Sequence, residues 1–182
     1  STGVLQDVAP MRSLADELGA LLLLDCVTSV GGLRVSLDEW GVDAAYSGTQ
    51  KCLGCPPGLS PVSFSARAQE VMSARTEAVQ SWYLDLSMIA NYWGSERSYH
   101  HTAPINMLYG LHEALRLVLE EGIDAREQRH RLHSSALVAG LEAMGLAPRV
   151  PVGERLPPLT AVSVPDGVED AAVRAHLLEH HN

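Results

Sequence analysis

A chain of 182 residues with 46% hydrophobic side chains has material for a core, while a formal net charge of −9 and a pI of about 5.3 give no electrostatic case for nucleic acid or an anionic membrane. No apolar run approaches the roughly 18 residues that a bilayer-spanning helix needs. Three cysteines, Cys26, Cys52 and Cys55, fit a soluble protein of a reducing intracellular compartment better than a disulfide-stapled scaffold, without distinguishing cytoplasm, peroxisome or mitochondrion.

Ser1-Thr2-Gly3 reads as a loop entered in mid-course, so the chain is expected to be a piece of a longer protein. Pro10–Gly19 carries Met11, Leu14 and Leu18 at helical spacing and leads into Leu21-Leu22-Leu23-Leu24. That short, uniformly apolar run predicts a strand of a parallel sheet, covered on both faces. It ends in Asp25, at the carboxyl end where open α/β sheets bind ligands. A carboxylate there needs a cation or donors to meet it. Capping the Thr28–Gly32 turn is the other use open to it.

Val42–Tyr46 predicts a second strand, followed by the polar loop Ser47-Gly48-Thr49-Gln50-Lys51. Lys51 is the only lysine beside 12 arginines. Guanidinium stays protonated, whereas an ε-amine can lose its proton and attack a carbonyl. A lone lysine in this place points to an imine, the other reading being a chance survivor of an arginine-biased composition. Strand–Asp25, a crossover and strand–Lys51 supply what pyridoxal phosphate needs: an amine for its aldehyde carbon and an acid to keep its ring nitrogen protonated.

Cys52-Leu53-Gly54-Cys55 has CxxC spacing but no second ligand pair for zinc. Between Lys51 and Pro56-Pro57 it reads as an ordinary loop. Leu59–Phe64 predicts a third strand, with Pro61 tolerated at an edge or strand start, and Ala66–Arg75 a helix. Ser81–Thr102 is aromatic-rich and irregular, with one helical turn around Leu86–Tyr92. Its Trp82, Tyr83, Tyr92 and Trp93 suit packing or an interface, and His100-His101 lack partners spaced for a metal. Pro104 opens a long helix with an apolar stripe of Ile105, Leu108, Leu111, Leu115, Val118 and Leu119, interrupted by Gly122. Asp124–Met144 predicts the next helix, with Leu132, Leu137 and Leu141 inward and Arg126–Arg131 on a solvated face. Leu159–Val164 predicts a strand, and Val168–His181 a last helix.

Taken in order, Ser1-Thr2-Gly3-Val4-Leu5-Gln6, Leu23-Leu24-Asp25-Cys26-Val27-Thr28-Ser29, Tyr46-Ser47-Gly48-Thr49-Gln50-Lys51 through Pro56-Pro57-Gly58, Asn91-Tyr92-Trp93-Gly94 and Tyr99-His100-His101-Thr102-Ala103-Pro104 resemble the class V aminotransferases along essentially the whole chain. The alanine–glyoxylate and serine–pyruvate branch is the nearest in pattern. Gln50 stands where cysteine desulfurases usually carry histidine. The Pro-Pro-Gly turn stands where phosphoserine aminotransferases are typically rich in asparagine and glycine.

The resemblance implies an α/β fold of the fold-type I class of pyridoxal-phosphate-dependent transferases. Residues 1–122 would form the C-terminal part of a large domain with a mainly parallel sheet, and residues 123–182 the beginning of a small α/β domain. It implies a homodimer with shared active sites and the cofactor pyridoxal 5'-phosphate. By matching position, Lys51 would be the Schiff-base lysine, Asp25 the partner of the ring nitrogen, Val27 a wall against one ring face (or simply core), and Gln50 a phosphate ligand. Tyr99 and Thr102 would contact the phosphate held by the other subunit, and Ser1 and Thr2 would come from the loop near the cofactor.

The reaction so implied is transamination of a small amino acid, alanine or serine, with glyoxylate or pyruvate as the 2-oxo acid acceptor, in a ping-pong scheme. A lyase or desulfurase on the same scaffold, or a non-catalytic truncated subunit, are the alternatives. The family's glycine-containing phosphate loop, its ring-stacking aromatic and its carboxylate-gripping arginine find no match here, so the isolated stretch is expected to be weak or inactive. No metal, nucleic acid or membrane partner is implied.

Overall fold

Strands β1 (Leu23–Asp25), β2 (Ala44–Tyr46) and β3 (Val62–Phe64) form a sheet of order β1-β2-β3 in a computed structural model that describes residues 2–181. Around them run helices α1 (Ala9–Glu17), α2 (Ala66–Ser73), α3 (Leu86–Trp93), α4 (Ile105–Glu121), α5 (Ile123–Ala143) and α6 (Asp170–His180). β1 and β2 are parallel, with Leu23 opposite Ala44 and Asp25 opposite Tyr46. β2 and β3 are antiparallel, so residues 47–61, with Lys51 among them, connect two neighbouring strands.

Strand alternation decides what β1 buries. Leu24 packs against the core of Val8, Cys26, Val42 and Ala45, together with Leu22, Val30 and Trp40. Leu23 and Asp25 point to the other face, where Leu23 is 63% exposed. The expectation of a strand covered on both faces therefore fails. Within this chain β1 is an edge strand with one covered face, and Asp25 stands on the open one.

Side-chain caps set several helix starts. Asp7 accepts from the Ala9 N–H ahead of α1, and Ser65 accepts from the Ala68 N–H at the start of α2. Asp85 accepts from both Ser87 and Met88, which is why α3 runs through eight residues rather than one turn. α4 stops at Gly122, whose φ of 83° suits a residue without a Cβ, and α5 begins at the next residue.

The apolar lines of these two helices differ from the expected ones. In α4 Ala114 and Val118 are buried while Leu119 is 79% exposed. In α5 Val138 is the buried residue, and Leu132 and Leu137 lie outward. The inward line runs through Arg126, His130, Ser134, Val138 and Leu141, at helical spacing but largely polar. Arg126, which finds the Gly31 and Cys52 carbonyls and Glu121 there, holds this face inward.

Leu159–Val164 does not form the expected strand. Pairing is confined to one bridge, Pro148 with Val162, flanked by the Arg149 N–H to Ala161 carbonyl bond at 2.9 Å and the Ser163 N–H to Ala147 carbonyl bond at 3.0 Å. Pro148 takes the non-hydrogen-bonded place in that bridge, and Pro157, Pro158 and Pro165 bracket the segment. Among the described residues, no helix is long and apolar enough to cross a membrane.

Candidate active site

β1 ends in a turn that its own last side chain helps to build. The Cys26 N–H donates to the Tyr46 carbonyl at 2.9 Å, and the Ser29 and Val30 N–H groups both return to the Cys26 carbonyl at 3.1 Å. Asp25 Oδ1 accepts from the Val27 N–H at 2.9 Å and Oδ2 from the Tyr46 hydroxyl at 2.7 Å. The local capping use of Asp25 is therefore real. It leaves room for more, because a carboxylate has about four lone-pair sites and two are taken.

The loop carrying Lys51 is held from below. Ser47 is buried and donates its hydroxyl to the Cys26 carbonyl at 3.1 Å and its N–H to the Pro61 carbonyl at 2.9 Å. Thr49, fully buried, donates its hydroxyl to the Pro56 carbonyl at 2.9 Å and its N–H to the Leu59 carbonyl at 3.3 Å. The Gly54 N–H returns to the Lys51 carbonyl at 2.9 Å. These hydroxyls are committed to backbone acceptors, and Lys51 itself is exposed above them.

Gly31 and Gly32 let the two loops meet. A Cβ on Gly32 would lie 2.8 Å from Cys52 Sγ and 2.9 Å from Pro158 Cγ. Arg126 completes the junction, donating to the carbonyls of Gly31 and Cys52, each at 2.7 Å.

Between the loops lies a cavity of about 540 Å³, lined among others by Asp25, Val27, Lys51 and Thr2. Gln50, Tyr99 and Thr102 are not among its lining residues. Gln50 is exposed, with its amide folded over Gly48. Tyr99 and Thr102 lie between α3 and α4, their hydroxyls 3.2 Å apart, and Tyr99 is 75% exposed. Ser1 lies outside the described residues.

Tyr99 and Thr102 stand on a packed aromatic cluster. His100 is buried and stacks on Trp82 with ring centroids 4.2 Å apart, its Nε2 3.0 Å from the Trp82 carbonyl and its Nδ1 2.8 Å from His101 Nδ1. Tyr92 meets Tyr99 edge-on at 6.1 Å. The histidines serve packing here.

The thiols near the cavity are quiescent. Burial first, and the Asp25 charge second, push the fully buried Cys26 up to about 11. Burial also raises Cys52, against the pull of Arg126 and Arg129. Cys52 donates weakly to the Thr28 carbonyl and Cys55 to the Thr49 carbonyl. The CxxC pair belongs to the loop's scaffold.

Two residues near the site carried no role in the sequence reading. Tyr46 was visible only as part of a motif, and its link to Asp25 follows from parallel register. Arg126 was assigned to a solvated face, yet its side chain is 12% exposed and its Nη1 pairs with Glu121 at 2.8 Å.

A family model described as "Aminotransferase class-V" matches residues 1–182. This chain belongs to the class-V aminotransferases. Among relatives of this aminotransferase chain, (S)-ureidoglycine–glyoxylate transaminase of Bacillus subtilis (strain 168) is 39% identical, over 98% of this chain and 47% of the relative. Alanine–glyoxylate aminotransferase of Callithrix jacchus is 40% identical, over 98% of this chain and 44% of the relative. The solved structure of alanine–glyoxylate aminotransferase from Nostoc sp. superposes with a TM-score of 0.95 at 50% identity, covering 100% of this chain and 48% of that one. The chain thus spans about half the length of the relatives it matches.

Class-V aminotransferases use pyridoxal phosphate, and the donor set of this aminotransferase chain fits that group. A carboxylate with two open lone pairs, an amine and an apolar Val27 wall line one cavity, of a size usual for small-molecule sites. Lys51 and Asp25 come from the ends of adjacent parallel strands, where such sheets bind ligands.

Proposed function

We propose that the protein of which this chain is part is a pyridoxal-phosphate-dependent transaminase, which moves an amino group from a small amino acid such as alanine or serine to glyoxylate or pyruvate. The observation that carries this reading is the shared cavity of Asp25 and Lys51. Glyoxylate as acceptor is supported by the names of the relatives, two of which act on it.

Pyridoxal phosphate, when bound, supplies an electron sink for the charge left on the substrate α-carbon. Lys51 Nζ is its covalent anchor at the aldehyde carbon. Asp25 accepts the ring N–H and keeps that nitrogen protonated. Val27 lies against a ring face, and Gln50 reaches the phosphate. With the cofactor in place, Lys51 Nζ would serve as general base and then acid for the proton on the substrate α-carbon. Thr2, on the cavity wall, would border the cofactor. Tyr99 and Thr102, exposed and side by side, contact the phosphate held by a second copy, which makes the working unit a homodimer. Residues 1–122 belong to the large domain of that unit, and residues 123–182 open the small one.

Borohydride reduction of the full-length protein tests the reading. The expected result is a pyridoxyl mass tag on the peptide that holds Lys51, lost in Lys51→Ala, together with keto acid release from alanine or serine in the presence of glyoxylate. A tag elsewhere, or release of sulfide or ammonia in place of transamination, would sink it.

A further inference from the structure

Tyr46 closes β2 as the register partner of Asp25 in β1. Its hydroxyl donates to Asp25 Oδ2 at 2.7 Å, while the Val27 N–H donates to Oδ1 at 2.9 Å. A carboxylate torsion is otherwise broad and soft. Two donors on the two oxygens fix it, and they leave one lone pair on each oxygen for a third partner. The tyrosine main chain is tied to the same strand end, since its carbonyl accepts from the Cys26 N–H at 2.9 Å and the next residue, Ser47, donates to the Cys26 carbonyl at 3.1 Å. Tyr46 does not line the cavity; Asp25 does. The phenol therefore acts from behind, through the carboxylate.

A donor on a carboxylate favours the ionised form. Next to a protonated ring nitrogen this matters in a specific way. The more basic the carboxylate, the more of the shared proton it holds, and the weaker the electron sink becomes. We propose that Tyr46 is a positioning residue of this site, holding the Asp25 carboxylate oriented toward the ring nitrogen of pyridoxal phosphate. This rests on the functional reading given above. The groups acting on the Tyr46 phenol are Asp25, foremost through the hydrogen bond, and Cys26, and both raise it above its ordinary value.

The test uses the full-length protein, wild type and Tyr46→Phe, Asp25→Asn and the double variant. In cofactor-free protein carrying 13Cζ-tyrosine, the resonance missing from Tyr46→Phe is expected to titrate above the usual value of about 10 and to fall toward it in Asp25→Asn. With ring-15N pyridoxal phosphate, Tyr46→Phe is expected to shift the nitrogen signal toward the unprotonated position and to weaken cofactor binding in equilibrium dialysis about tenfold. Tyr46→Phe should add little once Asp25 is asparagine. A purely structural tyrosine would lower thermal stability and leave the nitrogen signal where it was.

Unchanged nitrogen signal and unchanged dissociation constant in Tyr46→Phe overturn the proposal while leaving the transaminase reading intact. Failure of the wild-type protein to bind pyridoxal phosphate removes both. Should Tyr46→Phe unfold, comparing every tyrosine resonance of wild type with Asp25→Asn still decides, because if none responds to Asp25 no phenol is orienting it.

Discussion

Arg126 Nη2 donates to the carbonyl of Cys52 at 2.7 Å, one residue beyond Lys51, while Nε of the same guanidinium donates to the carbonyl of Gly31 at 2.7 Å. One planar fork on α5 thus ties together the turn that follows Asp25 and the loop that carries Lys51. Lysine, with a single charged nitrogen, lacks this geometry. Arg126→Met is expected to lower unfolding free energy by about 2 to 4 kcal/mol, with Arg126→Lys recovering less than half. Urea unfolding of the full-length protein measures both, and a loss below about 0.5 kcal/mol in Arg126→Met would dismiss the tie.

The acid limb of stability follows from two neighbours of that tie. Glu121 is held at about 2, below its ordinary 4.5, chiefly by its hydrogen bond from Arg129 and further by the charges of Arg129 and Arg126. Its folded state binds a proton less readily than its unfolded state. Its contribution is whole above about pH 4.5 and is lost as pH falls through about 2. His130 is lowered from 6.5, foremost by burial, and its Nε2 is buried without a hydrogen-bond partner. The unfolded chain therefore takes up that proton first, and stability declines as pH drops below about 6.5. Tm measured against pH should flatten between pH 7 and 5 in His130→Phe, and below pH 4.5 in Glu121→Gln. Curves parallel to wild type in both windows would refute the assignment.

The short strands could be read from apolar runs ending in polar loops, while their sheet order and the antiparallel pairing of β3 could not. What stayed hidden depends on three-dimensional partners. Arg126 and His130 face inward on α5 because carbonyls and Glu121 meet Arg126 there, while the leucines at 132 and 137 turn out, the reverse of what periodicity suggests. Leu159–Val164 has strand composition but forms one bridge, between Pro157-Pro158 and Pro165. Tyr46 looks like any aromatic strand residue until register sets it beside Asp25. Asp43, within an apolar run, gives no hint in sequence that it is a hub.

That hub is 4% exposed and gathers three elements. Asp43 Oδ2 accepts from the Leu22 N–H at 2.8 Å and from Arg12 Nη1 at 2.9 Å, and Oδ1 accepts from the Ser65 hydroxyl at 3.1 Å. Arg67 stands 3.6 Å away. The backbone bond from Leu22, with Arg12 and Ser65, holds the carboxyl below its ordinary range despite its burial. Asp43→Ala is expected to cost about 2 to 4 kcal/mol, because it leaves the Leu22 N–H and the Ser65 hydroxyl without their acceptor, while Arg12 keeps Asp16 and the Gly41 carbonyl. Asp43→Asn, which keeps one acceptor oxygen but neither the charge nor the second acceptor, should cost less. Chemical denaturation gives both values, and equal losses would show that the one acceptor oxygen left in asparagine contributes nothing without the charge.

Gly32 has the shortest clearance at the junction below the cavity. An added Cβ would stand 2.8 Å from Cys52 Sγ and 2.9 Å from Pro158 Cγ. The thiol can rotate, but Cys52 Cβ at 3.2 Å and the Pro158 ring cannot, so the turn that follows Asp25 must back away from both the loop that holds Lys51 and the Pro158 segment. Gly32→Ala is expected to destabilise by about 1 to 3 kcal/mol and to slow reductive labelling of Lys51 as the two loops part. Cys52→Ala removes one of the two obstacles. In a double-mutant cycle the pair should therefore show a favourable coupling of at least about 0.5 kcal/mol, with part of the labelling rate recovered. Strict additivity in both stability and labelling would mean that the two loops do not press on one another at this point, and that Gly32 is replaceable.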